Sequence, residues 1–128
     1  MTIVVDASFT VPTCTAPDGF DHLADDLVAP DLLWPEVRSV LHRSAWRGVV
    51  TWDIARQAML RLDRLPIRAV RPRALGPEAW AIADELGWAK TYDAEYLAVA
   101  RLSRARLLTL DRRMRRAADR VGVETAEI

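Results

Sequence analysis

The sequence predicts an α/β fold in which helices sandwich a central, mainly parallel sheet. Three observations carry that prediction. Short aliphatic runs, Ile3-Val4-Val5 and Leu107-Leu108-Thr109-Leu110, each stop at an aspartate. Other segments place apolar residues at the 3.6-residue spacing of a helix. The two kinds of segment alternate, and alternation calls for crossover connections and parallel strands.

The elements follow in order. Ile3-Val4-Val5 is β-branched and reads as a buried strand. Asp6-Ala7-Ser8-Phe9 turns into a helix in which Pro12 is tolerable only near the start. A short helix is expected from Gly19 to Asp26, then a strand at Leu27-Val28-Ala29, closed by Pro30. Pro35 suits the first turn of a helix carrying Val37, Val40, Leu41 and Ser44 on one side, with Gly48 as its stop. Thr51 can cap the next helix, which runs through Leu62 with Trp52, Ala55, Met59 and Leu62 as its stripe. Pro66 to Pro72 is extended, with a minor strand at Ile67–Val70. Pro77 opens a helix over Glu78–Leu86 that Gly87 ends. Asp93 to Leu102 is apolar almost all round, as a buried helix should be. After the Leu107–Leu110 strand come a basic helix, Arg112–Arg120, and a last short strand within Gly122–Thr125.

A chain of 128 residues, 51% of them hydrophobic, fits one domain over residues 1–128 and can fill a core unaided. The single cysteine, Cys14, cannot form an internal bridge and points to a reducing compartment. Asp6 interrupts any secretory apolar region, and no run approaches the roughly 18–20 apolar residues of a membrane span. A soluble, cytoplasmic protein is the expectation. The net charge of zero conceals an asymmetry: residues 1–37 hold seven acids and no Lys or Arg, while the remainder holds all 18 bases against 11 acids. An acidic centre flanked by basic surface is one consequence; simple mixing of these charges in the fold is the other.

Four carboxylates stand out. Ligands of an open parallel sheet bind outside the carboxyl ends of its strands, where Asp6 and Asp111 should lie. Glu36 falls in the first turn of its helix. Asp93 shares a helix face with Tyr96, Leu97 and Ala100, which carries its carboxylate inward. Two like charges about 4 Å apart repel by about 4 kcal/mol at an effective dielectric near 20. Four converging acids therefore call for protons or cations between them. Oxygen donors favour Mg²⁺ or Mn²⁺, and no Cys/His cluster suggests zinc. Taken singly, each acid could instead cap a helix or complement its dipole.

These residues resemble the pattern of the PIN-domain family. Ile3-Val4-Val5-Asp6-Ala7-Ser8 is similar to its opening strand and first acid, and Ala29-Pro30-Asp31-Leu32-Leu33-Trp34-Pro35-Glu36-Val37 to the stretch bearing its second. Tyr92-Asp93-Ala94-Glu95-Tyr96-Leu97-Ala98-Val99-Ala100 resembles the third, and Leu107-Leu108-Thr109-Leu110-Asp111-Arg112-Arg113 the fourth. The likeness spans essentially the whole chain, and the length suits a VapC-type toxin of a bacterial type II toxin–antitoxin system. It implies a three-layer α/β/α PIN-like fold and a metal-dependent endoribonuclease that hydrolyses RNA phosphodiesters with a metal-activated water. It further implies Mg²⁺ (or Mn²⁺), a homodimer and inhibition by a cognate antitoxin. By this carry-over Asp6, Glu36, Asp93 and Asp111 are metal ligands or water activators, with Ser8 and Thr109 as polar neighbours. The segment from Trp46 to Arg73 matches only by helical pattern.

Other features carry less. Arg112, Arg113, Arg115 and Arg116 follow the fourth acid and suit either phosphate binding or a solvated helix face. His22 and His42 lie on separate helices and suggest surface positions more than acid–base chemistry. Glu95 should face solvent, and Cys14 has no partner motif. The tryptophans are expected in the core or at interfaces, and Trp46 and Trp52 flank a helix–helix turn where a protein partner could dock. The alternative function is a catalytically inactive PIN-like RNA- or protein-binding module. A phosphohydrolase of small phosphoesters is more distant, because position 8 is Ser where an Asp-x-Asp site needs its second acid.

Overall fold

The computed structural model describes residues 1–16 and 25–127. Four strands, β1 (Thr2–Val5), β2 (Asp26–Ala29), β3 (Ile67–Ala69) and β4 (Arg106–Leu108), form one parallel sheet in the order β3-β2-β1-β4. Six helices flank it: α1 (Ala7–Thr15), α2 (Leu33–Trp46), α3 (Trp52–Leu62), α4 (Leu75–Leu86), α5 (Tyr92–Ser103) and α6 (Arg112–Arg120). The expected α/β/α class with a parallel sheet is the class observed. Strands β1, β2 and β3 step one way along the sheet and β4 sits on the other side of β1. The order therefore reverses between β1 and β4, which is where sheets of this kind open a ligand crevice. Among the described residues, no helix is long and apolar enough to cross a membrane.

The core forms where the strands' aliphatic side chains meet the helices. Val4, Val5, Val28 and Leu107 have at most 1% of their surface exposed. The inner faces of α2 (Val37, Leu41) and α4 (Ile82, Ala83) pack around them, as do Met114 and Ala118 of α6. Helix α5 buries every residue from Tyr96 to Ala100, which confirms that its near-continuous apolar sequence marks an interior helix. Burying one such large side chain fully is worth about 1.5–3 kcal/mol, so this helix anchors whatever its first turn carries.

Local chemistry sets most boundaries. Thr51 caps α3 by accepting from the Ile54 amide at 3.1 Å, as the sequence predicts. Gly87 ends α4 at φ +69°, in the left-handed region that favours glycine. Pro35 and Pro77 both fall inside first turns, because α2 starts at Leu33 and α4 at Leu75. Pro12 departs from expectation: it lies in the body of α1, not near its start. Its ring removes one ladder donor there, and the neighbouring hydroxyls of Thr13 and Thr15 bond to the carbonyls of Phe9 and Pro12. The expected strand in 122–125 reduces to a single bridge between Leu107 and Thr125. The expected helix over 19–26 falls mostly outside the described residues, as does His22, and its last residue, Asp26, opens β2.

The tryptophans, expected in the core or at interfaces, lie mostly outside the core. Trp46, Trp52 and Trp80 are 74%, 46% and 67% exposed, and Trp34 and Trp88 only lean on the core. Trp52 was expected on the buried stripe of α3, but that helix starts at this residue and its first turn projects beyond the packed layer.

Candidate active site

The parallel register of β1 and β4 pairs Val4 with Leu107 and Val5 with Leu108. One step further, as both strands end, Asp6 arrives beside Thr109. Asp6 is 4% exposed and Thr109 fully buried. Asp6 Oδ2 accepts from the Thr109 hydroxyl, while Oδ1 accepts from Ser8 Oγ at 2.7 Å and from the Phe9 amide at 3.2 Å. Asp6 is therefore also the N-cap of α1. Ser8 Oγ lies 3.1 Å from Thr109 Oγ1 and accepts from the Leu110 amide at 2.9 Å. The two residues singled out as polar neighbours form the cradle of the first acid. Burial pushes the Asp6 carboxyl above its ordinary range, the three hydrogen bonds pull it down, and the nearby Asp111 charge adds to the rise.

Glu36 and Asp93 line a cleft of about 720 Å³ together with Arg43, Trp88, Lys90 and Arg113. Glu36 reaches it from the first turn of α2, and Asp93 from the first turn of α5. Glu36 is pushed up to about 7, chiefly by burial, then by the Asp93 charge and, more weakly, by Asp6 and Glu95. The Tyr96 hydroxyl opposes this by donating to Glu36 Oε1 at 3.3 Å. Tyr96 itself is held far above its usual range by burial and by these same acids, so it remains a donor.

Two acids sit less deeply than the sequence suggests. Asp93 is 44% exposed, at the rim of the cleft, and Arg113 Nη1 donates to its Oδ2 at 3.2 Å. Asp111 does not follow its strand directly, because β4 ends at Leu108 and Thr109 and Leu110 intervene. It is exposed and caps α6, accepting from the Arg113 amide at 2.9 Å. Leu110 is consequently solvent-exposed instead of a strand residue. Glu95, expected in solvent, is half-buried and raised by burial and by Asp31. The four acids thus communicate in a chain: Asp111 acts on Asp6, and Asp6 and Asp93 act on Glu36.

Oxygen donors whose charges help raise Asp6 and Glu36 suit a hard divalent cation in kind. They do not make a finished cage, since among the described residues no three His, Cys, Asp or Glu side chains stand close enough to hold an ion. Tyr96 holds Glu36 and Arg113 holds Asp93, and both contacts would have to yield. Asp6, Glu36 and Asp93 are the nearest set of candidate ligands; Asp6 and Asp111 both cap helices, and Asp111 is the more exposed of the two.

Of the four arginines after Asp111, Arg113 faces the acids and Arg115 donates to the Thr109 carbonyl at 3.2 Å. Among the described residues Arg112 and Arg116 are exposed and make no ion pair. His42 is exposed and meets Trp52 edge-on at 4.9 Å. Cys14 is buried, with its thiol pushed up to about 11 by burial. Sequence reasoning treated Tyr96 as an apolar face residue and missed it as the partner of Glu36. The signal was its position three residues after Asp93, on the same face. Trp88 and Lys90 carried no comparable signal.

The sequence matches the PIN domain family over residues 3–120. No curated protein matches it. Among solved structures, the crystal structure of PAE2754 from Pyrobaculum aerophilum is similar, with a TM-score of 0.76 and 26% identity, covering 91% of this chain and 84% of that one.

Proposed function

Since the chain belongs to the PIN-domain family, whose members are generally nucleases that typically use divalent metals, we propose that it is a metal-dependent endoribonuclease and the toxin of a toxin–antitoxin pair. The observation that carries the nuclease reading is the coupling of Asp6, Glu36 and Asp93 beside the reversal point of the sheet. Self-repelling carboxylates brought together by three separate elements cost stability, and a site that uses a cation and a proton repays it.

Asp6, Glu36 and Asp93 would hold Mg²⁺ or Mn²⁺. Such an ion, when bound, makes water a stronger nucleophile and offsets the charge that grows on an attacked phosphate. The chain's own groups do the rest. Ser8, Thr109 and the Phe9 amide fix the Asp6 carboxylate. Without a cation, burial and the neighbouring acids raise Glu36 to about 7. A bound cation would lower it, so Glu36 would serve as proton acceptor from water, and donor to the departing 3′ oxygen, only through an oxygen left free of the ion. Tyr96 orients that carboxylate. Hydrolysis by this route leaves 5′-phosphate and 3′-hydroxyl ends.

The toxin reading draws on the groove between α2 and α3, which shares Ser39 and Arg43 with the cleft. Trp46, Trp52, His42, Arg38, Arg43 and Arg56 line it, and among the described residues its lining contains no acid, which suits an antitoxin segment with acidic and apolar side chains. A homodimer of the toxin completes this reading. For the chemistry, wild type and Asp93→Asn are compared for RNA cleavage with Mn²⁺ and with EDTA. Cleavage confined to wild type with Mn²⁺ is expected, and equal activity in every arm would overturn the mechanism.

A further inference from the structure

The cleft mixes charges: Glu36 and Asp93 line it together with Arg43, Lys90 and Arg113, and with Trp88 and Tyr92. The acids repel the phosphates of a substrate, and the basic side chains add attraction to that of any bound cation. Arg113 is the built part of that basic set. Its guanidinium carbon lies 4.2 Å above the centroid of the Trp88 ring, and Trp88 is fixed by leaning on the core. Stacking of this kind holds the plane of a guanidinium without consuming its N–H donors. Among the described residues the side chain's hydrogen bond goes to Asp93, which leaves most of its donors free in a group that is 52% exposed. Tyr92, at the mouth, exposes 59% of its surface as a flat platform.

We propose that Arg113, held over the Trp88 ring in a cleft also lined by Lys90 and Arg43, is the phosphate seat for a single strand of RNA, one base of which stacks on Tyr92. Asp93 parks the guanidinium in the free protein, and a substrate phosphate takes over the donors that Asp93 leaves unused. Single strands are the class that fits, since only unpaired bases can turn outward onto an exposed ring while their phosphates lie in a cleft. This inference rests on the ribonuclease reading and names how the same site grips its substrate.

The test is fluorescence anisotropy of a labelled single-stranded oligoribonucleotide with the full chain in EDTA, over a range of salt. Arg113→Gln is expected to weaken binding at least fivefold and to lower the salt slope by about one. Arg113→Lys should lose two- to threefold, because it keeps the charge without the flat stack, and Tyr92→Ala about fivefold. Arg116→Gln, on the same helix but outside the cleft, should change binding less than twofold. Equal losses for Arg113→Gln and Arg116→Gln would mean a diffuse basic field and overturn the seat. Duplex RNA binding as tightly as the single strand would overturn the stacking role. If Arg113→Gln fails to fold, Arg113→Lys and Tyr92→Ala carry the test. Wild type that cleaves RNA with Mn²⁺, together with unchanged affinity and KM in Arg113→Gln, refutes the seat and leaves the nuclease standing. Wild type that neither binds nor cleaves removes both.

Discussion

The acid cleft and the groove between α2 and α3 are hollows of nearly equal size, about 720 and 790 Å³, made from opposite materials. The cleft draws its residues from several elements, sets acids against bases, and ties its side chains with named hydrogen bonds. The groove is formed by two consecutive helices, holds bases but no acid, and leaves Trp46 and Trp52 open. Volume therefore does not tell a site of chemistry from a site of contact. What distinguishes them is that burial and neighbouring acids push a carboxyl, Glu36, well above its ordinary range in the cleft, while the groove gathers cationic and aromatic side chains.

The comparison breaks first at Asp6. Asp6→Asn keeps the size of the side chain and the Phe9 cap but removes the charge, and should lower RNA cleavage by on the order of a thousandfold or more. A variant that cleaves within tenfold of wild type would place the chemistry elsewhere.

Glu36→Gln comes next and has two signatures. Cleavage should fall by on the order of a hundredfold. Stability should move the other way. The Glu36 carboxyl rises from 4.5 to about 7 on folding, so the fold favours its protonated form. Its contribution is fully present below about pH 4.5 and is lost as pH rises toward 7. Above pH 7 the variant should therefore be more stable than wild type without divalent ions, by about 1 kcal/mol once solvent screening of this half-buried group is allowed for. The gain should vanish near pH 4. Denaturant titrations at pH 4 and 8 measure it, and a gain that ignores pH would contradict the assigned ionisation.

Thr109→Val sharpens the role of the cradle. It preserves shape but deprives Asp6 Oδ2 of its donor in a buried setting, which should cost about 1–3 kcal/mol and roughly tenfold in rate. Thr109→Ser restores the hydroxyl and should recover most of both. If valine costs nothing in rate, the cradle serves folding alone.

The smallest effects belong to the groove. Trp46→Ala with Trp52→Ala should leave cleavage within twofold and stability within about 1 kcal/mol, while abolishing capture of a cognate antitoxin. Loss of cleavage in that double variant would erase the distinction between the two hollows.

Much of the molecule was legible along the chain because it depends on short-range patterns. Aliphatic runs gave β1 and β4, Thr51 and Gly87 marked helix ends, and the apolar encirclement of α5 announced its burial. The misjudged places were those where neighbours in space overrule local preference. Pro12 sits mid-helix in α1, Leu110 turns outward once β4 ends early, and Trp52 leaves the buried stripe of α3. The candidate site divides in the same way. Asp6, Glu36, Asp93 and Asp111 were visible as acids at strand ends and helix starts, since each position is defined by the few residues around it.

Which of those acids share a cleft was not visible. Side-chain type and periodicity act over a few residues, so the sequence alone determined the elements, the acidic inventory and the likeness to a family. Distances between residues 6, 36, 93 and 113 depend on strand order and register. Those are set by how all the apolar faces pack at once, and the tertiary structure alone decided that Tyr96 meets Glu36 and Arg113 meets Asp93.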